Sequence, residues 1–316
     1  MLFRSAKLAE QYGFEFVGIT DGQMIWRDVS VALTATAIAT ERVHMGPWVT
    51  NPVTRHLAVT ANFIATLHEF SNGRAILGIG NGDDAVRTIG AEPEKMSQLA
   101  ETVDTIRDLM DGKTVLNKSK VGWKICTGGR PEGAAPIYWA GANPLSFKYG
   151  IKHTDGLVIS GFVDEGWLNW MIETTDSISK EFNRTPKLIW NSAVAVDEDG
   201  DAAREAVRPY VASGLRYASA ARVQEWGDEG VERMRAAYNS YHHFRASNEA
   251  AVALVPDSMI PKKSISGTPE EAAAGMQAVI DKGITSFSIM PMGNVERTIE
   301  LLSTKVRPLL RLDGSA

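Results

Sequence analysis

The feature that most constrains this chain is a regular alternation of short apolar runs with longer amphipathic segments. Each run is apolar on both faces and rich in Val, Ile and aromatic residues, which is typical of a parallel strand buried on both sides. The segments between the runs carry apolar residues at helical spacing. Seven runs are visible, at residues 14–20, 43–49, 75–80, 137–141, 156–160, 188–196 and 286–291.

Repeated alternation of strand and helix predicts an α/β fold in which helices cover a parallel sheet. Two arrangements fit the pattern: a closed barrel and an open, doubly wound sheet. A closed barrel of eight strands needs one strand more than the seven runs supply. The chain starts almost directly in a helix at residues 5–12, so a barrel would have a first strand that is missing or truncated.

Two stretches interrupt the simple repeat. Residues 111–136 are rich in Gly, Lys and Pro, and predict a loop or short hairpin. Residues 197–263 are long, charged and helical in pattern. We interpret both as insertions at loops of the fold, so residues 1–316 are expected to form a single domain.

Composition excludes several classes of protein. The net charge is −5 and the basic residues are scattered, which argues against a nucleic-acid partner. Cys126 is the one cysteine, so neither an intramolecular disulfide nor a Cys-based zinc site is expected. The pair His242–His243 lacks carboxylates at ligand spacing, and no metal site is predicted. The sequence shows no apolar leader and no apolar run of ~18 residues, so we expect a cytoplasmic protein with no membrane partner.

The carboxyl ends of the strands are where chemistry is expected in a parallel barrel. The residues that follow the apolar runs are small or polar, which allows backbone amides to approach a flat ring or a phosphate. Taken alone each signal is weak, because Asp21 also fits a loop and His56 also fits a helix cap. The glycines near residue 80 lack the spacing of a dinucleotide or P-loop motif. The residues at these ends include Asp21, Thr50, Asn51, Gly80, Asn81, Gly82, Asp83, Gly141, Ala142, Asn143 and Ser160.

Several of these segments together resemble a known family. The chain is similar to the luciferase-like flavin-dependent oxidoreductases, closest to the branch of 5,10-methylenetetrahydromethanopterin reductase. The block TLHEFSNGRAILGIGNGD at 66–83 is the most specific. The resemblance is also carried by AEQYGFEFVGITD at 9–21, GPWVTNPVTRH at 46–56, VRTIG at 86–90, PIYWAGANPLSFKYGIKHTDGLVIS at 136–160 and GITSFSIMPMG at 283–293.

This resemblance implies a (β/α)8 TIM-type barrel that binds FMN or the deazaflavin coenzyme F420 in its mouth. It implies a non-prolyl cis peptide at Trp48–Val49 that supports the ring, and phosphate binding by the turn at Gly141. The complete set of cofactor-binding residues that it implies is Trp48, Val49, Thr50, Asn51, Gly80, Asn81, Gly82, Asp83, Gly141, Ala142, Asn143 and Ser160.

One departure from the family bears on catalysis. Many members carry a histidine directly after the acidic residue of the second strand, whereas Gly22 follows Asp21 here. Acid–base chemistry is then expected from Asp21, Arg55 or His56, or from a residue of the insertions. Trp26 and Trp48 are expected to line the ligand pocket.

The sequence therefore predicts an oxidoreductase that acts on a small organic substrate. Transfer of a hydride with F420 is slightly favoured. One alternative is an FMN-dependent monooxygenase that receives reduced flavin from a partner reductase, and another is a non-catalytic flavin-binding protein. A metal-dependent hydrolase would need several His and acidic residues at strand ends. The resemblance also implies a homodimer that associates through the helices beside the early strands.

Overall fold

The computed structural model describes residues 2–116, 120–126, 134–218 and 227–312. Parts of both predicted insertions, at 117–119, 127–133 and 219–226, lie outside the described residues. The chain divides into two compact units. The first comprises residues 1–159 and 174–188, and the second comprises residues 160–173 and 189–316.

The first unit alternates strand and helix. Its strands β1 and β2 pair in parallel, as do β3 with β6 and β6 with β7. Parallel bridges from Met45 to Ala75 and from Thr50 to Ile79 join β2 to the β3 segment. The elements are α1 (Leu2–Gln11), β1 (Phe16–Ile19), α2 (Val29–Ala39), β2 (His44–Pro47), α3 (Leu57–Phe70), β3 (Leu77–Ile79), α4 (Asp84–Arg87), α5 (Met96–Met110), β4 (Val115–Leu116), β5 (Gly122–Trp123), β6 (Ile137–Gly141), α6 (Pro144–His153) and β7 (Gly156–Ile159).

The second unit is built on a long strand, β8. Residues Ile189 to Val194 of β8 pair in parallel with β10, and Val194 to Val196 pair in parallel with β9. Short 3₁₀ or π turns lie at Ser240–His242, Asp257–Met259, Leu302–Val306 and Arg307–Leu309. The elements are α7 (Glu165–Phe182, whose second half belongs to the first unit), β8 (Lys187–Val196), α8 (Gly200–Leu215), α9 (Gly227–Ala237), α10 (Glu249–Val252), α11 (Ile260–Lys263), β9 (Ile265–Gly267), α12 (Pro269–Ile280), β10 (Ser286–Pro291) and α13 (Val295–Leu301).

All seven strands predicted from apolar runs are confirmed. That the first strand of a barrel is missing or truncated stays a prediction. The structure adds one short parallel strand that no apolar run predicted: β9, between α11 and α12, pairs with Val194 to Val196 of β8 and lies off the main strand order of the sheet. This strand has three residues with Ser266 at its centre. Because it is so short and has a polar centre, it does not form an apolar run that the sequence could reveal.

Both interruptions contain secondary structure in their described parts. In the described part of 111–136, β4 and β5 form an antiparallel hairpin. Residues 197–263 contain helices α8 to α11. The single-domain interpretation stays a prediction.

Local signals in the sequence explain where individual helices begin and end. Thr268 caps α12 in a complete capping box with Glu271, and Pro269 occupies the first turn, as expected. Gly283 follows α12 with a φ of 86°, a conformation that favours glycine. No helix in the described ranges is long and apolar enough to cross a membrane.

Candidate functional site

The carboxyl ends of β1 and β2 meet at a buried carboxylate. Asp21 is 6% exposed. Its Oδ2 accepts a hydrogen bond from Thr50 Oγ1 at 2.6 Å and another from Arg55 Nε at 2.9 Å. Its Oδ1 accepts from Arg55 Nη2 at 3.3 Å. A buried carboxylate is stable only when it is paired in this way. The structure thus brings two of the three predicted catalytic residues, Asp21 and Arg55, into direct contact.

Arg55 also binds a second carboxylate. Its Nη2 donates to Asp28 Oδ2 at 3.1 Å. Asp28 caps α2, because its Oδ1 accepts from the backbone N–H groups of Ser30 and Val31 at 2.9 and 3.0 Å. Burial alone would lower the pKa of Arg55, but bonding to Asp21 and Asp28 raises it above the ordinary value. Arg55 therefore binds Asp21 and Asp28, the two residues that flank the loop 22–27.

The loop 22–27 explains why glycine follows Asp21. A Cβ at Gly22 would lie 3.0 Å from Trp26 Cδ1 and 3.6 Å from the Cβ of Ala85. The carboxamide of Gln23 donates to the backbone oxygen of Ala85. The indole of Trp26 thus lies close over Gly22, and a larger residue at this position would be tight against it unless the indole shifted.

The peptide bond between Trp48 and Val49 is cis, as the resemblance implied. The Trp48 ring lies 4.5 Å from the ring of Phe16 and 5.8 Å from that of Tyr138, between centroids. A Cβ at Gly18 would lie 2.6 Å from Trp48 Cβ, and one at Gly78 would lie 2.7 Å from Trp48 Cε3. Glycines on the two neighbouring strands therefore make room for the large indole. Its buried Nε1 has no hydrogen-bond partner within the described part of the chain.

Beside this aromatic layer lies a layer of small residues. A Cβ added at Gly80 would make ordinary contacts at 3.5 Å with Val49 Cγ2 and at 3.6 Å with the Cβ of Ala140. Asn51 Oδ1 accepts from the backbone N–H groups of Val53 and Thr54 at 3.1 and 2.9 Å, which shapes the turn after β2. This oxygen is committed to the turn, and the amide nitrogen of Asn51 is the group that remains for a ligand.

The turn after β6 lies against the N-terminus of α6. A Cβ at Gly141 would lie 1.7 Å from Ser146 Oγ, so this position has no room for a side chain. Asn143 caps the helix, with its Oδ1 accepting from Ser146 N at 2.9 Å. Ala142 and Asn143 are exposed. Backbone N–H groups and the helix dipole at such a terminus favour an anion.

The turn after β3 carries the remaining predicted cofactor residues of the first unit. Gly82 has a φ of 95°, and the backbone oxygen of Asn81 accepts from Glu94 N at 2.8 Å. The side chain of Asp83 forms an ion pair with Arg87 at 3.4 Å, and both side chains are nearly half exposed. The Asp83 carboxylate is therefore turned towards α4.

His56, the third predicted catalytic residue, is an exposed N-cap. Its Nδ1 accepts from the backbone N–H of Ala58 at 3.2 Å, and its ring lies 5.3 Å from that of Trp123 in the hairpin β4–β5. While Nδ1 accepts this bond, the neutral ring carries its hydrogen on Nε2. His56 therefore caps α3 through Ala58 and packs against Trp123. It is not part of the Asp21 cluster.

In the second unit, Ser160 belongs to a cluster that the sequence did not reveal. Asn191 Nδ2 donates to Ser160 Oγ at 3.0 Å, and Ser288 Oγ donates to Asn191 Oδ1 at 2.9 Å. The available signal was an asparagine inside the apolar run 188–196, but its partners lie 31 and 97 residues away. Across the described ranges, no three His, Cys, Asp or Glu side chains are grouped to hold a metal ion.

The fold and these strand ends define a class: an α/β protein of parallel strands with small and polar residues at their carboxyl ends, where such folds usually bind ligands. A profile of the family described as "Luciferase-like monooxygenase" matches residues 2–286. The chain belongs to this family, and it is an enzyme of the family.

Individual relatives agree with this assignment. The chain is 30% identical to a 5,10-methylenetetrahydromethanopterin reductase of Archaeoglobus fulgidus, over 96% of this chain and 94% of that protein. It is 31% identical to the enzyme of the same name from Methanolobus tindarius, over 95% and 94% of the two chains.

Solved structures share the fold. The structure of a coenzyme F420 dependent tetrahydromethanopterin reductase from Methanopyrus kandleri has a TM-score of 0.80 at 24% identity, covering 98% of this chain and 95% of that one. An F420-dependent secondary alcohol dehydrogenase in complex with an F420-acetone adduct has a TM-score of 0.78 at 20% identity, covering 98% and 94%.

Proposed function

We propose that this enzyme is an F420-dependent oxidoreductase that transfers a hydride between the coenzyme and a carbon atom of a small organic substrate. The observation that carries the proposal is the small-residue surface of Val49, Gly80 and Ala140, which can accept a flat ring. The names of the relatives add support, since the similar proteins include the reductases above and an F420-dependent glucose-6-phosphate dehydrogenase of Amycolatopsis mediterranei.

The residues of the first unit suit the parts of a flavin-type coenzyme. Val49, Gly80 and Ala140 would contact the ring, and the turn at Gly141 and Asn143 would hold a phosphate with backbone N–H groups. Thr50, Asn51 and the Asn81–Asp83 turn supply polar groups beside the ring position. The coenzyme, when bound, supplies the carbon that gives or accepts the hydride.

Asp21 has a positioning role in this proposal rather than that of a free acid. Three of its hydrogen-bond positions are filled by Thr50 and Arg55. The carboxylate fixes Thr50 at the end of β2 and, through Arg55, fixes the loop that carries Trp26. We also propose that the parallel strands belong to a (β/α)8-type barrel whose first strand is missing or truncated.

The test is to titrate purified protein separately with F420 and with FMN, and to follow the quenching of Trp fluorescence and the absorbance of the ligand. Tight binding of F420 with no binding of FMN is the expected result. Tight binding of FMN alone would replace the proposal with a monooxygenase that depends on a partner reductase. Binding of neither would overturn it.

We propose further that two copies of the chain associate through α2 and α3. The outward faces of these helices are apolar: Val31 and Ile38 on α2 are 70% and 71% exposed, and Val59 and Phe70 on α3 are 55% and 58% exposed. Exposed apolar side chains grouped on one face are typical of an interaction surface. Glu69 is the one Asp, Glu, Lys or Arg within these two helices.

Light scattering during size-exclusion chromatography tests this association. The wild-type protein should elute with the mass of a dimer, and Ile38→Asp should shift it towards the monomer. Leu116→Asp, at a position in the hairpin that is 68% exposed, is the matched control and should leave the mass unchanged. A wild-type protein that is monomeric at micromolar concentration would contradict the proposal.

A further inference from the structure

Strand β8 presents two very different faces. Trp190 is fully buried, and its ring lies 5.5 Å from that of Trp167 on α7. Because side chains alternate along a strand, Asn191 points to the opposite face from Trp190. Its register partner on β10 is Ser288. The face of the sheet that is turned away from Trp167 therefore carries polar groups at its middle.

The carboxamide of Asn191 is fixed by neighbours on both sides. Its Nδ2 donates to Ser160 Oγ at 3.0 Å, and its Oδ1 accepts from Ser288 Oγ at 2.9 Å. Ser160 is bonded in turn to the phenol of Tyr210, which is buried on α8. An amide held at both ends has a defined orientation, so its remaining groups point in a fixed direction.

Asn191 retains hydrogen-bonding capacity after these bonds. A carboxamide offers two N–H donors and two acceptor positions on oxygen. One donor and one acceptor position are used, and the second N–H has no acceptor within the described ranges. The residue is partly exposed, whereas Ser192 beside it is buried. A half-buried donor of this kind is stabilised when a ligand oxygen binds to it.

The cluster carries no charge. Burial raises the pKa of Tyr210 to about 12, so its phenol is neutral at physiological pH. The side chains of Ser160, Asn191 and Ser288 do not ionise in this range. A carboxylate ligand would lose its hydration here without meeting a cation among these four side chains, whereas a neutral oxygen loses little. The buried ammonium of Lys263 is already engaged: it donates to the backbone oxygen of Gly161, the residue after Ser160, at 3.1 Å and lies over the ring of Phe162.

We infer that Asn191, oriented by Ser160 and Ser288, binds the carbonyl or hydroxyl oxygen of a small neutral organic molecule. The inference rests on the proposed function in one respect. If the protein is the oxidoreductase proposed above, its substrate belongs to the neutral ketones and secondary alcohols. The binding itself is a property of the second unit's residues and can be measured without any coenzyme.

The experiment is a ligand-observed saturation-transfer NMR titration of the coenzyme-free protein with cyclohexanone, cyclohexanol and cyclohexanecarboxylate. We expect the two neutral compounds to bind the wild-type protein more tightly than the carboxylate does. Asn191→Leu should weaken cyclohexanone binding by about tenfold, the equivalent of one lost hydrogen bond. Ser192→Ala, which removes a hydroxyl from the other face of the same strand, is the matched control and should leave binding unchanged.

Asn191→Asp serves if the leucine variant does not fold, because it keeps the shape of the side chain and removes both N–H donors. Equal affinity of cyclohexanone for the wild-type protein and for a folded Asn191 variant would overturn the inference. So would tighter binding of the carboxylate, or no binding of cyclohexanone to the wild-type protein. If the ketone binds through Asn191 but F420 does not bind, the proposed function is wrong and this binding site stands.

Discussion

The two polar clusters of this enzyme differ in charge: one pairs ionised side chains and the other pairs only neutral side chains. In the first unit, a buried carboxylate at Asp21 is matched by a guanidinium and a hydroxyl. In the second, the carboxamide of Asn191 is matched by two hydroxyls and bears no charge. Ions buried together are costly to separate, because each leaves the other unpaired. A partly exposed neutral amide can instead bond its remaining donor to water, and is therefore suited to exchange that water for a ligand.

The largest expected effect is on the charged cluster. Asp21→Ala should lower the free energy of unfolding by about 3 kcal/mol, because it leaves the partly buried guanidinium of Arg55 with only the exposed Asp28. Chemical denaturation measures this change. Asp28→Ala is the control, and its cost should be about 1 kcal/mol, the usual value of a helix cap. Equal losses in the two variants would show that burial of Asp21 contributes little.

A second contrast concerns glycines in the two units. Gly18→Ala should destabilise by about 2 kcal/mol, because the new methyl group would lie 2.6 Å from Trp48 Cβ. Gly275→Ala on α12 is the control, since its Cβ would meet Ile265 at an ordinary 3.5 Å. In a helix this change should stabilise by about 0.5 to 1 kcal/mol. Thermal melts of both variants report the sign, and a neutral Gly18→Ala would contradict the close packing against Trp48.

The two clusters can be compared directly by removing one hydroxyl from each. Thr50→Val deletes a donor to the Asp21 carboxylate, and Ser288→Ala deletes a donor to the Asn191 carboxamide. We expect losses of about 2 and about 1 kcal/mol, since hydrogen bonds to charged groups contribute more. Urea unfolding of both variants would show the difference. A larger loss in Ser288→Ala would reverse the distinction drawn between the clusters.

The smallest effect is expected at the protein surface, where the Glu10 carboxylate accepts hydrogen bonds from backbone groups and is also attracted by the charge of Arg42. Glu10 accepts from the N–H groups of Glu41, Arg42 and Val43, at 3.0, 2.6 and 3.0 Å to Oε1. Burial raises the pKa of Glu10, but these three bonds outweigh it, and the pKa is lower than in the unfolded chain. Its contribution to stability is therefore complete above the unfolded pKa and is lost as the pH decreases through the folded pKa.

Glu10→Gln tests this contribution. The wild-type protein should be more stable than the variant near neutral pH, and the difference should shrink as the pH is lowered from neutral through the acidic range in which Glu10 becomes protonated. Urea denaturation across this range supplies the measurement. A stability difference that does not change with pH would mean that the carboxylate charge at Glu10 does not stabilise the segment 41–43.

Much of the fold could be predicted because buried parallel strands are apolar in a recognisable way. The runs at 137–141 and 286–291 coincide with β6 and β10. Strand β9 was not predicted, because three residues are too few to form a recognisable apolar run. The cis peptide at Trp48–Val49 could be expected because the family resemblance implied it, and no property of the residues alone would have indicated it.

The site was predicted less completely, because contacts between distant residues leave no periodic signal. Asp21 and Arg55 were both candidates, but only the structure shows that they form an ion pair. His56 is an exposed cap, a function that its position before α3 already allowed. Asn191 was hidden in an apolar run because its hydrogen-bond partners, Ser160 and Ser288, lie far from it in the sequence. The predicted cofactor contacts stay predictions until a ligand is bound.

The packing of Trp48 between glycines has a consequence for protein engineering and for evolution. A Cβ at Gly18 would lie too close to the Cβ of Trp48, and one at Gly78 would lie too close to both the Trp48 ring and the backbone oxygen of Pro47, so glycine is expected to be retained at both positions. A library that varies position 18 or 78 would consist largely of destabilised members, and a chimera that brings a larger residue to either position would meet the same close contacts. Recombination breakpoints are therefore better placed after residue 80 than between these strands.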